Sequence, residues 1–116
     1  MHEMQIAQNI ITIVEEELLK SGIGEPVKSV QVVCGKMRAI IPDSLRFNYD
    51  ILKRKNDQLT ESNLVISETE VAFRCKKCQH EQSLEEPIFF CEKCSSSEIE
   101  VISGNELYVD NIEIME

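Results

Sequence analysis

The chain predicts an α+β fold, with two helices on a small three-stranded sheet and a four-cysteine insert resembling a zinc ribbon. Three patterns carry this expectation. Two stretches repeat apolar residues at helical spacing, three runs are rich in Val, Ile and Leu, and residues 74–97 hold four cysteines among short charged spacers.

From Glu3 to Lys20, residues Ala7, Ile10, Ile11, Val14 and Leu18 form one apolar stripe. Ser21-Gly22 supplies a helix stop, and Lys20 suits the negative end of the helix dipole. Val27 to Cys34, bounded by Pro26 and Gly35, reads as a strand. Pro42-Asp43-Ser44 marks a second helix start, and Leu45, Tyr49 and Leu52 keep helical spacing until about Lys55-Asn56-Asp57. Leu64 to Phe73 reads as one strand, Ile99 and Val101 as a short one, and Leu107 to Ile114 as the last extended segment after a Ser103-Gly104-Asn105 turn. The insert is too small and polar to hold a core alone. The boundaries that follow are 1–70 with 106–116 for the main domain and 71–105 for the insert.

Composition excludes several functions. Acidic residues outnumber basic ones by 21 to 12, a net charge of -9, which opposes binding to a phosphate backbone. With no Trp and 5% aromatics, base-stacking platforms lack material. The run Ile10-Ile11-Thr12-Ile13-Val14 is far short of the ~20 residues that span a bilayer. The first twenty residues carry Glu3, Glu15, Glu16 and Glu17 and no early Lys or Arg, so they do not read as a signal peptide. A soluble cytoplasmic protein is expected. Four glycines without a phosphate loop, and only His2 and His80 as imidazoles, give no support to catalysis. Glu85-Glu86 and Glu15-Glu16-Glu17 read as solvated faces, and the second run could instead meet a basic partner surface.

Five cysteines in such a chain point to metal rather than disulfides. Cys75-Lys76-Lys77-Cys78 and Cys91-Glu92-Lys93-Cys94 are two C-x-x-C knuckles. A two-residue spacer aims both thiolates of a tight turn at one ion, and two knuckles complete a sulfur tetrahedron, which suits Zn(II). Sulfur ligation alone leaves iron open. The segment with Pro87 and Phe89-Phe90 has room for a hairpin that returns the second knuckle. Arg74, Lys76, Lys77 and Lys93 would offset the charge of a tetrathiolate. A closed site has no open position for catalysis, so its role is structural. His80 could replace or hydrogen-bond a thiolate, or be a solvated loop residue. Cys34, at the end of a Val-rich strand, reads as a small buried hydrophobe.

The chain opens Met1-His2-Glu3. The Met1 amine, the His2 backbone nitrogen and a His2 ring nitrogen can close two fused chelate rings on one ion. Glu3 can add its backbone nitrogen or its carboxylate. Such planar nitrogen donors suit Ni(II) or Cu(II). A second-position histidine is also common as an incidental surface residue.

Met1-His2-Glu3-Met4, the helix after it, Gly35, Pro42-Asp43-Ser44-Leu45-Arg46-Phe47, the paired knuckles and Gly104-Asn105-Glu106-Leu107 together resemble the HypA/HybF family of nickel metallochaperones for [NiFe]-hydrogenase maturation. The resemblance implies a nickel-binding α/β domain with an inserted zinc domain. It implies transient Ni(II) cargo held by Met1, His2 and Glu3, and structural Zn(II) held by Cys75, Cys78, Cys91 and Cys94. It implies a HypB-type GTPase and the hydrogenase large subunit as partners, with urease maturation factors in some bacteria. Charge and the short apolar run already set nucleic acid and membrane aside as partners, and a monomer or weak homodimer is expected. Two departures stand out. Some relatives carry a histidine after each knuckle, whereas here His80 follows the first and Ser95-Ser96-Ser97 the second. The segment Lys36 to Ile41 lacks the acidic residue that some relatives place near nickel, and Asp43 is the nearest carboxylate. The alternative functions are a zinc-ribbon interaction module in transcription or translation, and a redox protein using its cysteine pairs.

Overall fold

The computed structural model of the chain describes residues 3–84 and 89–116. Met1, His2 and the segment 85–88, which contains Pro87 of the expected hairpin, lie outside the described residues. The order is α1 (Glu3–Lys20), β1 (Val27–Gly35), a 3-10 turn (Lys36–Arg38), α2 (Pro42–Leu52), a second 3-10 turn (Lys53–Lys55), β2 (Asn63–Thr69), β3 (Val71–Cys75), β4 (Glu81–Leu84), β5 (Ile99–Ser103) and β6 (Leu107–Ile114). Two sheets form, with strand orders β2-β1-β6 and β4-β3-β5. Two compact units result: Met1–Val33 with Ile40–Ser67 and Tyr108–Glu116, and Cys34–Ala39 with Glu68–Leu107.

In the first unit α1 buries the five residues of its stripe: Ala7, Ile10, Ile11, Val14 and Leu18. Each large member contributes on the order of 1.5–3 kcal/mol through removal from water. The helix ends in a Schellman motif, in which Ile23 N–H donates to Leu18 O (3.0 Å), Gly22 N–H donates to Leu19 O (3.3 Å) and Gly22 takes φ +67°. Pro42 opens α2 in its first turn, where a missing N–H costs nothing. Leu45 and Tyr49 point from α2 into the core, which β1 supplies with Val27, Val30 and Val32. One buried polar chain crosses this core. Tyr49 OH lies 2.5 Å from Ser62 Oγ, and Ser62 Oγ donates to Leu59 O at 2.6 Å.

The expected single strand from Leu64 to Phe73 is two strands. The break falls at Glu70, between β2 of the first sheet and β3 of the second. Glu70 is held there by an ion pair with Lys36 (2.6 Å), and its carbonyl accepts Ser103 Oγ–H (3.0 Å). Val, Ile and Thr continue through the break, so β-branched content gave no sign of it.

In the second unit β3 is central and antiparallel to both β4 and β5, with an irregularity in the β5 register at Ala72/Phe73. Segment 34–39 pairs with the turn before β6: Gly35 N–H donates to Glu106 O (2.7 Å), Met37 N–H to Gly104 O (2.8 Å) and Arg38 Nε–H to Asn105 O (2.9 Å). A Cβ at Gly35 would overlap the Gly104 carbonyl. Gly104 itself has φ +100°, and a Cβ there would stand 2.6 Å from Val71 Cα.

Candidate metal centre

The two knuckles are built alike. In the first, Cys75 N–H donates to His80 O (2.8 Å) and Gln79 N–H to Cys75 O (2.9 Å). In the second, Cys91 N–H donates to Ser96 O (2.8 Å) and Ser95 N–H to Cys91 O (2.8 Å). The residue after each second cysteine is left-handed, Gln79 at φ +65° and Ser95 at φ +61°. That reversal curls each turn around its two sulfurs. Cys75 ends β3, so the sheet fixes the first knuckle. The second is tied to β4 through Gln82, whose Oε1 accepts Glu92 N–H (3.0 Å) and whose amide nitrogen donates to Phe90 O (3.5 Å).

The four Sγ atoms all lie within 4.8 Å of one another. Cys75–Cys94 and Cys78–Cys91 stand at 3.5 Å, beyond disulfide bonding. A tetrahedron with 2.3 Å metal–sulfur bonds has edges of about 3.8 Å, so the donor set fits a zinc-sized ion with small adjustment. Cys75 and Cys91 are buried, Cys78 is half-buried and Cys94 is exposed. Without a metal, the thiols share protons unequally. The backbone N–H of Cys78, followed by that of Lys77, lowers Cys75 to about 7. Cys94 accepts the Ser96 N–H, yet its neighbouring thiols and burial outweigh that bond and push it up to about 12. A cation seated among the four would remove this competition by stabilising every thiolate.

The other candidates fall as follows. Among the described residues the converging group comprises the four cysteines, and His80 contributes its backbone carbonyl rather than a ring nitrogen. Arg74, expected beside the thiolates, faces Glu81 at 3.6 Å across the β3–β4 pair. Lys76, Lys77 and Lys93 are exposed on the knuckle turns. Cys34 is buried, and desolvation followed by the charge of Glu68 pushes its thiol up. Asp43 pairs with Arg46 at 2.6 Å on the first turn of α2.

The expected nickel ligands Met1 and His2 lie outside the described residues. Glu3 opens α1, and its Oε2 is buried without a hydrogen-bond partner among the described residues. A buried carboxylate oxygen left in this way is a ready ligand for a cation or a donor. Sequence reasoning did not find the clamp at Gln82 or the paired carbonyls of His80 and Ser96. The matched spacing of the knuckles could have suggested the carbonyls, but nothing marked Gln82.

No helix among the described residues is long and apolar enough to cross a membrane. A family model described as hydrogenase/urease nickel incorporation, metallochaperone, hypA, matches residues 1–114. The hydrogenase maturation factor HypA of Desulfatibacillum aliphaticivorans is 41% identical, covering 98% of this chain and 87% of the relative. That of Crocosphaera subtropica is 40% identical, covering 100% and 97%. The solution structure of the Ni metallochaperone HypA from Helicobacter pylori superposes with a TM-score of 0.71 at 23% identity, covering 99% of this chain and 98% of that one. With its helices, three-stranded sheets and four-thiol cluster, the chain belongs to the HypA family of hydrogenase/urease nickel-incorporation metallochaperones.

Proposed function

We propose that the protein carries Ni(II) on its amino terminus and passes it, with a HypB-type GTPase, to the large subunit of [NiFe]-hydrogenase in the cytoplasm. It performs no catalysis of its own. The Met1 amine, the backbone and ring nitrogens of His2, and Glu3 hold the cargo. Cys75, Cys78, Cys91 and Cys94 hold structural Zn(II) in the inserted domain. The observation that carries this reading is the family match from residue 1 through residue 114, which takes in both donor sets. The buried Oε2 of Glu3, without a hydrogen-bond partner among the described residues, supports the amino-terminal half of it.

The two donor sets suit different tasks. A tetrathiolate in a closed turn pair holds its ion tightly and supplies the folding free energy that a small polar unit lacks. A set of amine and imidazole donors exchanges its ion more readily than four thiolates do. A cation held by Glu3 would lie at the positive end of α1, whose dipole opposes it by about 0.3–1 kcal/mol and favours release. The net charge of -9 complements cationic cargo and opposes a nucleic-acid role.

Titration of zinc-loaded protein with Ni(II) tests the assignment. The parent binds one tight equivalent, while His2→Ala and a form with one residue added before Met1 each lose at least tenfold in affinity. Parent-like nickel binding by both variants would remove the amino-terminal site from the account.

A further inference from the structure

The four thiols are not equally accessible. Cys94 alone of the group is exposed, and the residues after it are Ser95-Ser96-Ser97, too small to cover it. Both 3.5 Å sulfur approaches run between knuckles, Cys75 to Cys94 and Cys78 to Cys91. Within each knuckle, the paired backbone hydrogen bonds at its base hold the turn around its sulfurs.

We propose that Cys94 is the point at which a peroxide attacks the metal-loaded site, and that the disulfide it produces joins Cys94 to Cys75 and releases the ion. The proposal rests on the tetrathiolate reading above. In the loaded site every sulfur is a thiolate, which is the reactive form. The Cys94 sulfur attacks one peroxide oxygen, the O–O bond breaks, and hydroxide leaves and is protonated to water. The resulting sulfenic acid is a poor ligand. The Cys75 thiolate, whose sulfur stands 3.5 Å from that of Cys94 before an ion is seated, then attacks the Cys94 sulfur, the S–S bond forms, the S–O bond breaks and a second hydroxide leaves. Two electrons pass from the sulfur pair to one peroxide. Cys78 and Cys91 remain as two ligands, too few to retain the ion. A dithiol reductant reverses the change and restores the four donors. The closed site is thereby an oxidant-triggered release site with a defined entry sulfur.

The test uses the full chain, first loaded with one equivalent of Zn(II) and assayed for metal content. Equimolar hydrogen peroxide is added, zinc release is followed with a chromogenic chelator, and acid-quenched samples are mapped by mass spectrometry. In parallel, the loaded protein is treated with limiting N-ethylmaleimide. The expected result is one zinc released per Cys75–Cys94 disulfide, with maleimide on Cys94 at least tenfold above any other cysteine. Failure to take up one zinc overturns the tetrathiolate reading and this proposal together. A loaded protein that first forms Cys75–Cys78, Cys91–Cys94 or Cys78–Cys91 overturns this proposal alone. So does one that labels another cysteine first, or that keeps its zinc in excess peroxide.

Discussion

Ser62→Ala is predicted to harm the first unit more than Tyr49→Phe, and the double variant is predicted to recover part of the loss. Ser62 Oγ donates to Leu59 O, so Tyr49 OH is the donor in the 2.5 Å contact with Ser62. Burial pushes the Tyr49 phenol up, against the opposing effect of the Ser62 bond, so the hydroxyl keeps its proton. In Tyr49→Phe, Ser62 still donates to Leu59 O and only one bond is lost, about 1 kcal/mol. In Ser62→Ala, Leu59 O keeps the Ser62 backbone N–H at 2.9 Å, but the Tyr49 hydroxyl is buried without a partner. That costs about 1–3 kcal/mol for desolvation on top of the lost bond. Combining both changes removes the orphan, so the double variant should lie roughly 1–2 kcal/mol above additivity. Both α-helices belong to the first unit, so urea unfolding followed by circular dichroism at 222 nm reads it directly. Equal costs for the single variants and an additive double would refute the assigned donor order.

Three further outcomes follow from other sites. Gly104→Ala must adopt φ +100° and place a Cβ 2.6 Å from Val71 Cα, so it should cost about 3 kcal/mol. Hydrogen exchange of the β3 and β5 amides would reveal this as lost protection. Glu106 is held below the usual carboxylate range by its own backbone N–H, with the Gly104 N–H adding a 2.5 Å bond. Its folded value is lower than its unfolded one, so its stabilisation is complete above about pH 4.3 and fades as pH falls through the depressed value. Glu106→Gln should therefore flatten the acid limb of a stability–pH curve. Cys34, with its buried and raised thiol, should resist iodoacetamide at pH 7.5 and react fully only in denaturant, as peptide mapping would show.

Local chemistry made much of the fold legible. The α1 stripe and its Ser21-Gly22 stop needed only periodicity and a residue that accepts positive φ. The start at Pro42 and the run Leu107–Ile114 were equally local. The features that escaped depend on distant partners. Glu70 breaks a β-branched run because Lys36 and Ser103 hold it, and neither is near it in sequence. Strand β4 begins with the polar residues Glu81, Gln82 and Ser83, and it forms because β3 offers it an antiparallel neighbour. The pairing of Gly35 and Met37 with the Gly104–Glu106 turn is similarly non-local. At the metal centre, spacing pointed to the four cysteines. It could not show that one sulfur is exposed while two are buried, because exposure is set by the chain that returns over each turn.

The central claim is that cargo sits on nitrogen donors at the start of the chain, apart from the sulfur site. X-ray absorption at the nickel edge of protein carrying one zinc and one nickel tests it most directly. The account predicts a nickel shell of nitrogen and oxygen with imidazole scattering, which disappears in His2→Ala. A nickel shell made of sulfur, with the spectrum unchanged by that substitution, would contradict it.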